Sequence, residues 1–157
     1  MGSQRTYFMP SKTDLNLVPS HTGRYDTQIS DLLSCMDLAE KIGQLSQFSG
    51  HGGYIPDHLQ RALRDGCVGS ILNEVDLTTV NEMQRIVVEE SRLGIPLLIG
   101  RDVIHGFKTI FPIPLGQAAI WSPELVESAA RIAALESATC GVNWTFAPMI
   151  DISRDPR

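Results

Sequence analysis

Three cysteines in 157 residues leave no disulfide framework to read. Cys35, Cys67 and Cys140 are isolated, odd in number and never at metal-ligand spacing, so free or buried thiols in a reducing compartment are expected. A basic excess is missing too. Thirteen Lys and Arg against 18 Asp and Glu give a net charge of −5. That argues against a nucleic-acid or anionic-membrane partner, since either favours a basic patch. No apolar run approaches the roughly 20 residues that cross a bilayer. The opening "MGSQRTYFMPSKTDLNLVPSHTG" lacks an apolar core and a small-residue cleavage site, so no signal peptide is read and a cytoplasmic chain is expected as written. Also absent are Gly-x-Ser-x-Gly, His-Glu-x-x-His and a Gly-x-Gly-x-x-Gly after a strand. Each absence removes support for a serine hydrolase, a zinc protease or a dinucleotide-binding sheet.

What is present is ordinary for a soluble domain: 43% hydrophobic and 20% charged residues. Residues 1–24 are polar, carry Pro10, Pro19 and Gly23, and show no periodicity, which predicts an extended or disordered arm. From Asp26 the pattern is helical, with Ile29, Leu32, Leu33 and Met36 on one stripe. Asp37 and Glu40 stand at capping-box spacing, so a second short helix starts there. "SGHGGYIP" (49–56) invites a phosphate-loop reading. No Gly-Lys-Ser/Thr ending and no preceding strand accompany it, so a plain mobile loop is expected, with His51 and His58 as surface residues. A helix over 57–66 follows, with Asp57 as cap and Gly66 as stop.

Next comes an alternation. Strands are expected at 68–72, 95–100 and 142–150. Helices are expected at 76–94, with Leu77, Val80, Met83 and Val87 inward, and at 122–141, with Ser122 as N-cap, Pro123 in the first turn and Gly141 as terminator. Ala129, Ala130 and Ala133 would let that last helix pack closely on a sheet. Nearly continuous apolar strands separated by helices specify a parallel sheet with crossover helices. The candidates are a (β/α)8 barrel and an open doubly wound sheet.

Ligands in such folds bind at the C-terminal ends of strands. Asp102 follows the strand "IPLLIG", where a carboxylate can accept hydrogen bonds from vicinal hydroxyls of a sugar. Lys108 could donate to the same ligand. Phe111, Pro112 and Pro114 would form a stiff apolar wall. A structural role competes: Asp102 could cap a turn or pair with Arg101 or Lys108. His105 reads as a turn residue. Asp151 could line the same mouth. Arg154 and Arg157 flank Asp155 as an ion-pair turn or a ligand rim. His21 carries no argument.

Three separated segments, "MDLAEKIGQLSQ", "LLIGRDVIHGFKTIFPIPLG" and "WSPELVESAARIAALESATCGVNWTFAPMIDISRDPR", closely resemble the N-terminal domain of family 3 glycoside hydrolases, in particular β-glucosidases of the periplasmic type. The resemblance runs from about Tyr25 to Arg157. It implies a partial (β/α)8 barrel over 25–157, roughly the first three βα units behind N-terminal helices. It further implies retaining hydrolysis of terminal β-D-glucosyl residues of β-glucosides or cello-oligosaccharides, without a metal or organic cofactor in the chemistry. By the same resemblance Asp102 falls on the aspartate that binds hydroxyls of the non-reducing-end glucose. Lys108 falls where many relatives carry a sugar-touching arginine. The family's Lys-His pair, nucleophile, acid/base residue and sugar-gripping arginine lie beyond Arg157, which is itself expected to be structural. The chain is therefore expected to be an N-terminal fragment holding part of the glucose subsite and no catalytic residue. The alternative is a non-catalytic, oligomerising carbohydrate-binding or assembly module.

Overall fold

The computed structural model describes Gly23 and residues 25–150. The arm expected over 1–24 lies almost wholly outside the described residues, as do Asp151, Arg154 and Arg157. Helix α1 covers Asp26–Cys35 and α2 covers Leu38–Gln44. The break between them is set by the capping box: the Asp37 carboxylate accepts from the Glu40 amide at 2.8 Å, and the Asp37 amide donates to Glu40 Oε2 at 2.9 Å. Arg92 clasps the same Glu40 through Nε at 2.9 Å and through its terminal nitrogen, and also donates to the Cys35 carbonyl at 2.8 Å. One buried carboxylate thus ties the N-terminal helices to the far end of the second crossover, between β2 and β3.

Four parallel strands follow: β1 Gln47–Ser49, β2 Ser70–Leu72, β3 Leu98–Arg101 and β4 Trp144–Thr145. They neighbour one another in chain order, with Ser49, Leu72 and Gly100 in one row and Gly100 beside Trp144. A doubly wound sheet reverses strand order at its centre, whereas a (β/α)8 barrel adds each strand to the same side of the last. The order therefore selects the barrel. It also corrects the expected count of three strands to four: β1 stands directly before the glycine-rich loop, where no strand is expected from the sequence.

The sheet divides its residues by the period of two. Phe48, Ile71 and Ile99 share one face with the helices, where Ile71 and Ile99 are fully buried among Leu59 and Leu63 of α3 (Asp57–Arg64) and Val80 and Met83 of α4 (Leu77–Arg85). Each such side chain contributes about 1.5–3 kcal/mol relative to exposure. The fourth helix widens into a π turn over Ile86–Glu90, with Ile86 and Val87 buried. Leu77 does not join the stripe and is half exposed; it is the first residue of α4, directly after the Asp76 cap. The cap of α3 is Pro56, not Asp57, which lies inside the first turn. Gly66, at φ +68, provides the expected stop.

The opposite face carries Leu98, Gly100 and Trp144, with Phe146 just beyond. A Cβ on Gly100 would stand 3.0 Å from the Phe146 ring and 3.4 Å from Trp144, so the glycine makes room for two rings that pack edge to face at 4.8 Å. Leu98 remains 49% exposed on this side. The last long helix, α6 (Pro123–Ala138), begins as expected on Ser122 and Pro123. Its alanines pack less closely than their size suggested. Ala133 is buried, but Ala129 and Ala130 border an open apolar groove of about 460 Å³ facing Trp144 and Pro148.

Candidate functional site

All four strands point their C-terminal ends the same way, so the loops after them form one rim. Asp102 follows β3 at that rim and is exposed. Its Oδ1 accepts one hydrogen bond, from the Ile104 amide at 3.1 Å. Neither cation suggested as its partner takes it. Arg101 donates to Asn73 Oδ1 at 3.0 Å and lies 5.7 Å over the Phe107 ring. Among the described residues, therefore, nothing else takes up the acceptor capacity of Asp102. Extending the alternation of β3 by one residue puts it on the face of Leu98 and Gly100.

Lys108 sits in the loop between β3 and the short helix α5 (Pro114–Ala119). The loop closes on itself: the Phe111 amide donates to the His105 carbonyl at 2.7 Å, and Gly106 bridges Ile110. His105 thus serves the turn through its backbone carbonyl. Gly106 is obligatory there, at φ +115 and with the Thr109 carbonyl 2.0 Å from where a Cβ would stand. Glu136 of α6 fixes the tip, accepting from the Lys108 and Thr109 amides at 2.8 Å each and from the Thr109 hydroxyl at 2.6 Å. The Thr109 hydroxyl and amide, with Lys108 beside them, hold the Glu136 carboxyl below the usual range. The Lys108 residue is exposed on a loop held by its own backbone. The expected Phe-Pro-Ile-Pro wall is partly a helix start: Pro114 occupies the first position of α5, where its fixed φ fits and its missing N–H costs nothing. His105 and Phe111 border the apolar groove beside α6, whereas Asp102 and Lys108 do not.

The glycine-rich loop after β1 is pinned, not loose. Glu74, at the end of β2, is fully buried, and its carboxylate accepts five backbone amides. His51 and Gly52 donate to Oε2 at 3.1 and 3.0 Å; Gly53, Val75 and Asp76 donate to Oε1 at 3.2, 3.0 and 3.0 Å. Gly52 and Gly53 have φ of +65 and +90, which turns successive N–H groups into one concavity, the arrangement that binds anions. Here the anion is the chain's own. Sequence reasoning weighed the loop for phosphate and passed over Glu74; the available signal was an acidic residue just past a strand that neighbours a Gly-Gly turn. His51 and His58 are exposed and meet edge to face at 6.4 Å.

Strand order, an open carboxylate after the third strand and a rim of ordered loops define a barrel-type α/β domain of the kind that binds ligands at its C-terminal edge. The model for the glycosyl hydrolase family 3 N-terminal domain matches residues 37–157. The chain belongs to glycosyl hydrolase family 3. It is 42% identical over 132 residues to the periplasmic beta-glucosidase of Salmonella typhimurium, covering 84% of this chain and 17% of that protein. The beta-glucosidase of Listeria innocua in complex with glucose is 34% identical with a TM-score of 0.70, covering 83% of this chain and 20% of that one. A beta-glucosidase involved in saponin metabolism from intestinal bacteria is 43% identical with a TM-score of 0.60, covering 81% and 17%. The chain thus spans about a fifth of the length of these relatives. No helix among the described residues is long and apolar enough to cross a membrane.

Proposed function

We propose that this chain forms the opening part of the barrel of a retaining β-glucosidase and carries part of its subsite for a terminal β-D-glucosyl residue. The observation that carries the reading is the Asp102 carboxylate, exposed at the rim and engaged, among the described residues, by a single amide. A carboxylate so placed accepts hydrogen bonds from two neighbouring hydroxyls, and charge-assisted bonds of that kind are about twice as strong as neutral ones. Lys108 supplies a compact donor at the edge of the same site. Trp144, Phe146 and Leu98 form an apolar face beneath it, suited to the C–H face of a pyranose and to further barrel strands.

In this reading these residues bind and orient glucose, while the nucleophile and the acid/base residue stand elsewhere in the enzyme, as the family resemblance implies. Substrates are β-glucosides or cello-oligosaccharides, in line with relatives named as β-glucosidases. The test is turnover of an aryl β-glucoside. Residues 1–157 alone are expected to release no aglycone. The enzyme in which this chain continues should do so, with a loss of activity in Asp102→Ala. Turnover by residues 1–157 that disappears in Asp102→Ala would overturn the division of labour.

A further inference from the structure

Strand β4 is two residues long, yet it carries Trp144, whose ring packs beside Gly100 and against Phe146. So short a ladder does little to fix a register. The side of β3 that faces β4 offers the backbone groups of Leu97, Ile99 and Arg101. The Arg101 and Ile99 carbonyls accept the Phe146 and Asn143 amides at 3.3 and 3.2 Å, the long end of the range. Ahead of Asn143 the backbone amides are already committed. Those of Cys140, Gly141 and Val142 turn back to carbonyls of α6, as the chain leaves that helix through Gly141 at φ +85. The Asn143 side chain fills the gap. Its Oδ1 accepts the Ile99 amide at 2.7 Å, and its Nδ2 donates to the Leu97 carbonyl at 3.2 Å. One carboxamide, acceptor and donor together, takes the place of a peptide group a step before the strand begins. Gln84 of α4 grips the same Leu97, accepting its amide at 3.0 Å and donating to its carbonyl at 2.9 Å.

We propose that Asn143 is a positioning residue for the sugar site: its side chain extends the ladder between β3 and β4, fixes the register of the short strand, and so holds the Trp144 ring beside Gly100 on the face below Asp102. This rests on the reading of that rim as a glucose subsite. Without the carboxamide β4 keeps only its two paired residues and the two long bonds that flank them, and the apolar platform loses its fixed place. A platform under the sugar acts on substrate and transition state alike, so the loss raises KM and leaves kcat in place.

The measurement is steady-state kinetics on an aryl β-glucoside with the enzyme that carries this chain, each variant checked for its unfolding midpoint. Asn143→Ala should raise KM about tenfold with kcat within about twofold. Asn143→Asp keeps the shape and the acceptor for Ile99 but faces the Leu97 carbonyl with an oxygen, so it should raise KM two- to fivefold even where Asn143→Ala folds poorly. Gln84→Ala is the control for stability, since it frees the same Leu97 from the side of α4. It should lower the midpoint and leave KM within about twofold. Trp144→Leu should raise KM by itself, and adding Asn143→Ala to it should raise KM no further, because the two act through one ring. Unchanged KM in both Asn143 variants, a lower midpoint with only an apparent fall in kcat, or an additive loss in the Trp144→Leu background overturns the proposal. Should Asp102→Asn leave kcat/KM unchanged, the sugar reading itself fails; if Asp102→Asn is impaired and the Asn143 variants are not, only the role of Asn143 fails.

Discussion

Glu74 and Asp102 each stand two residues beyond the same row of the sheet, Leu72 paired with Gly100, yet one carboxylate is closed in by five amides and the other holds one. Level in the fold, they have opposite duties: Glu74 satisfies the protein, and Asp102 is left to satisfy a ligand. The contrast sets the first expectation. Asp102→Asn keeps the oxygen that caps Ile104, so stability should change by less than about 0.5 kcal/mol. It loses the charge that strengthens bonds to sugar hydroxyls, worth about 1.5–3 kcal/mol, so kcat/KM of the intact enzyme should fall roughly 10- to 100-fold. Thermal unfolding and kinetics on the same preparation check both halves, and an unchanged kcat/KM would make Asp102 a turn cap only.

The parts of this arrangement that were legible in the sequence are those written locally. Asp37 with Glu40, Ser122 with Pro123, and Gly66 and Gly141 as stops all act within one helical turn, and they appear as read apart from the Pro56 cap of α3. The placement of Asp102 after a strand followed from the run of apolar residues before it. The misses are non-local or masked by composition. Strand β1 has only Phe48 as an apolar residue and pairs with a strand 23 positions away, so it has no run to detect. The partners of Glu74 at 51–53 are equally distant, and only the fold brings them together. Pro114 was read as a wall because proline stiffens both extended chain and helix starts; the choice between them depends on Ile113 and Gln117, not on proline.

The Glu40 cluster makes stability depend on pH. Arg92 first, and the Asp37 amide second, hold the Glu40 carboxyl below its usual range. A carboxyl depressed in the folded state contributes stability that is fully present above its unfolded pKa of about 4.3 and is lost as pH falls through the lower folded value. Urea midpoints of wild type and Glu40→Gln should therefore differ at neutral pH and converge as the pH drops below about 4. A difference that stays constant to the acid limit would show that the ion pair with Arg92 contributes nothing beyond the cap.

Gly43 offers a test in which two effects oppose each other. Alanine is the better helix former by about 1 kcal/mol, so Gly43→Ala in α2 would stabilise an isolated helix. In the fold a Cβ there would lie 2.3 Å from the Gly66 carbonyl oxygen and 2.6 Å from Cys67 Cα. Both are backbone atoms that cannot rotate aside, and overpacking of this kind costs about 1–3 kcal/mol. The clash should win, lowering the urea midpoint; a higher midpoint would mean that α2 does not press against the 66–67 turn.

Lys108 separates charge from geometry. Its loop is set by Glu136 through backbone amides, so replacing its side chain leaves the loop's anchors in place. Lys108→Met should keep the unfolding midpoint and raise KM about two- to tenfold, the worth of one exposed charge-assisted hydrogen bond. Lys108→Arg restores the charge and adds a planar fork able to meet two hydroxyls at once, so its KM should return to the wild-type value or below. Glu136→Gln probes the same contact from behind: the loop loses a charged acceptor, and KM should rise in the Lys108 enzyme but not in Lys108→Met. If Lys108→Met and Lys108→Arg both match wild type, the ammonium stands outside the glucose subsite and Asp102 grips the sugar without it.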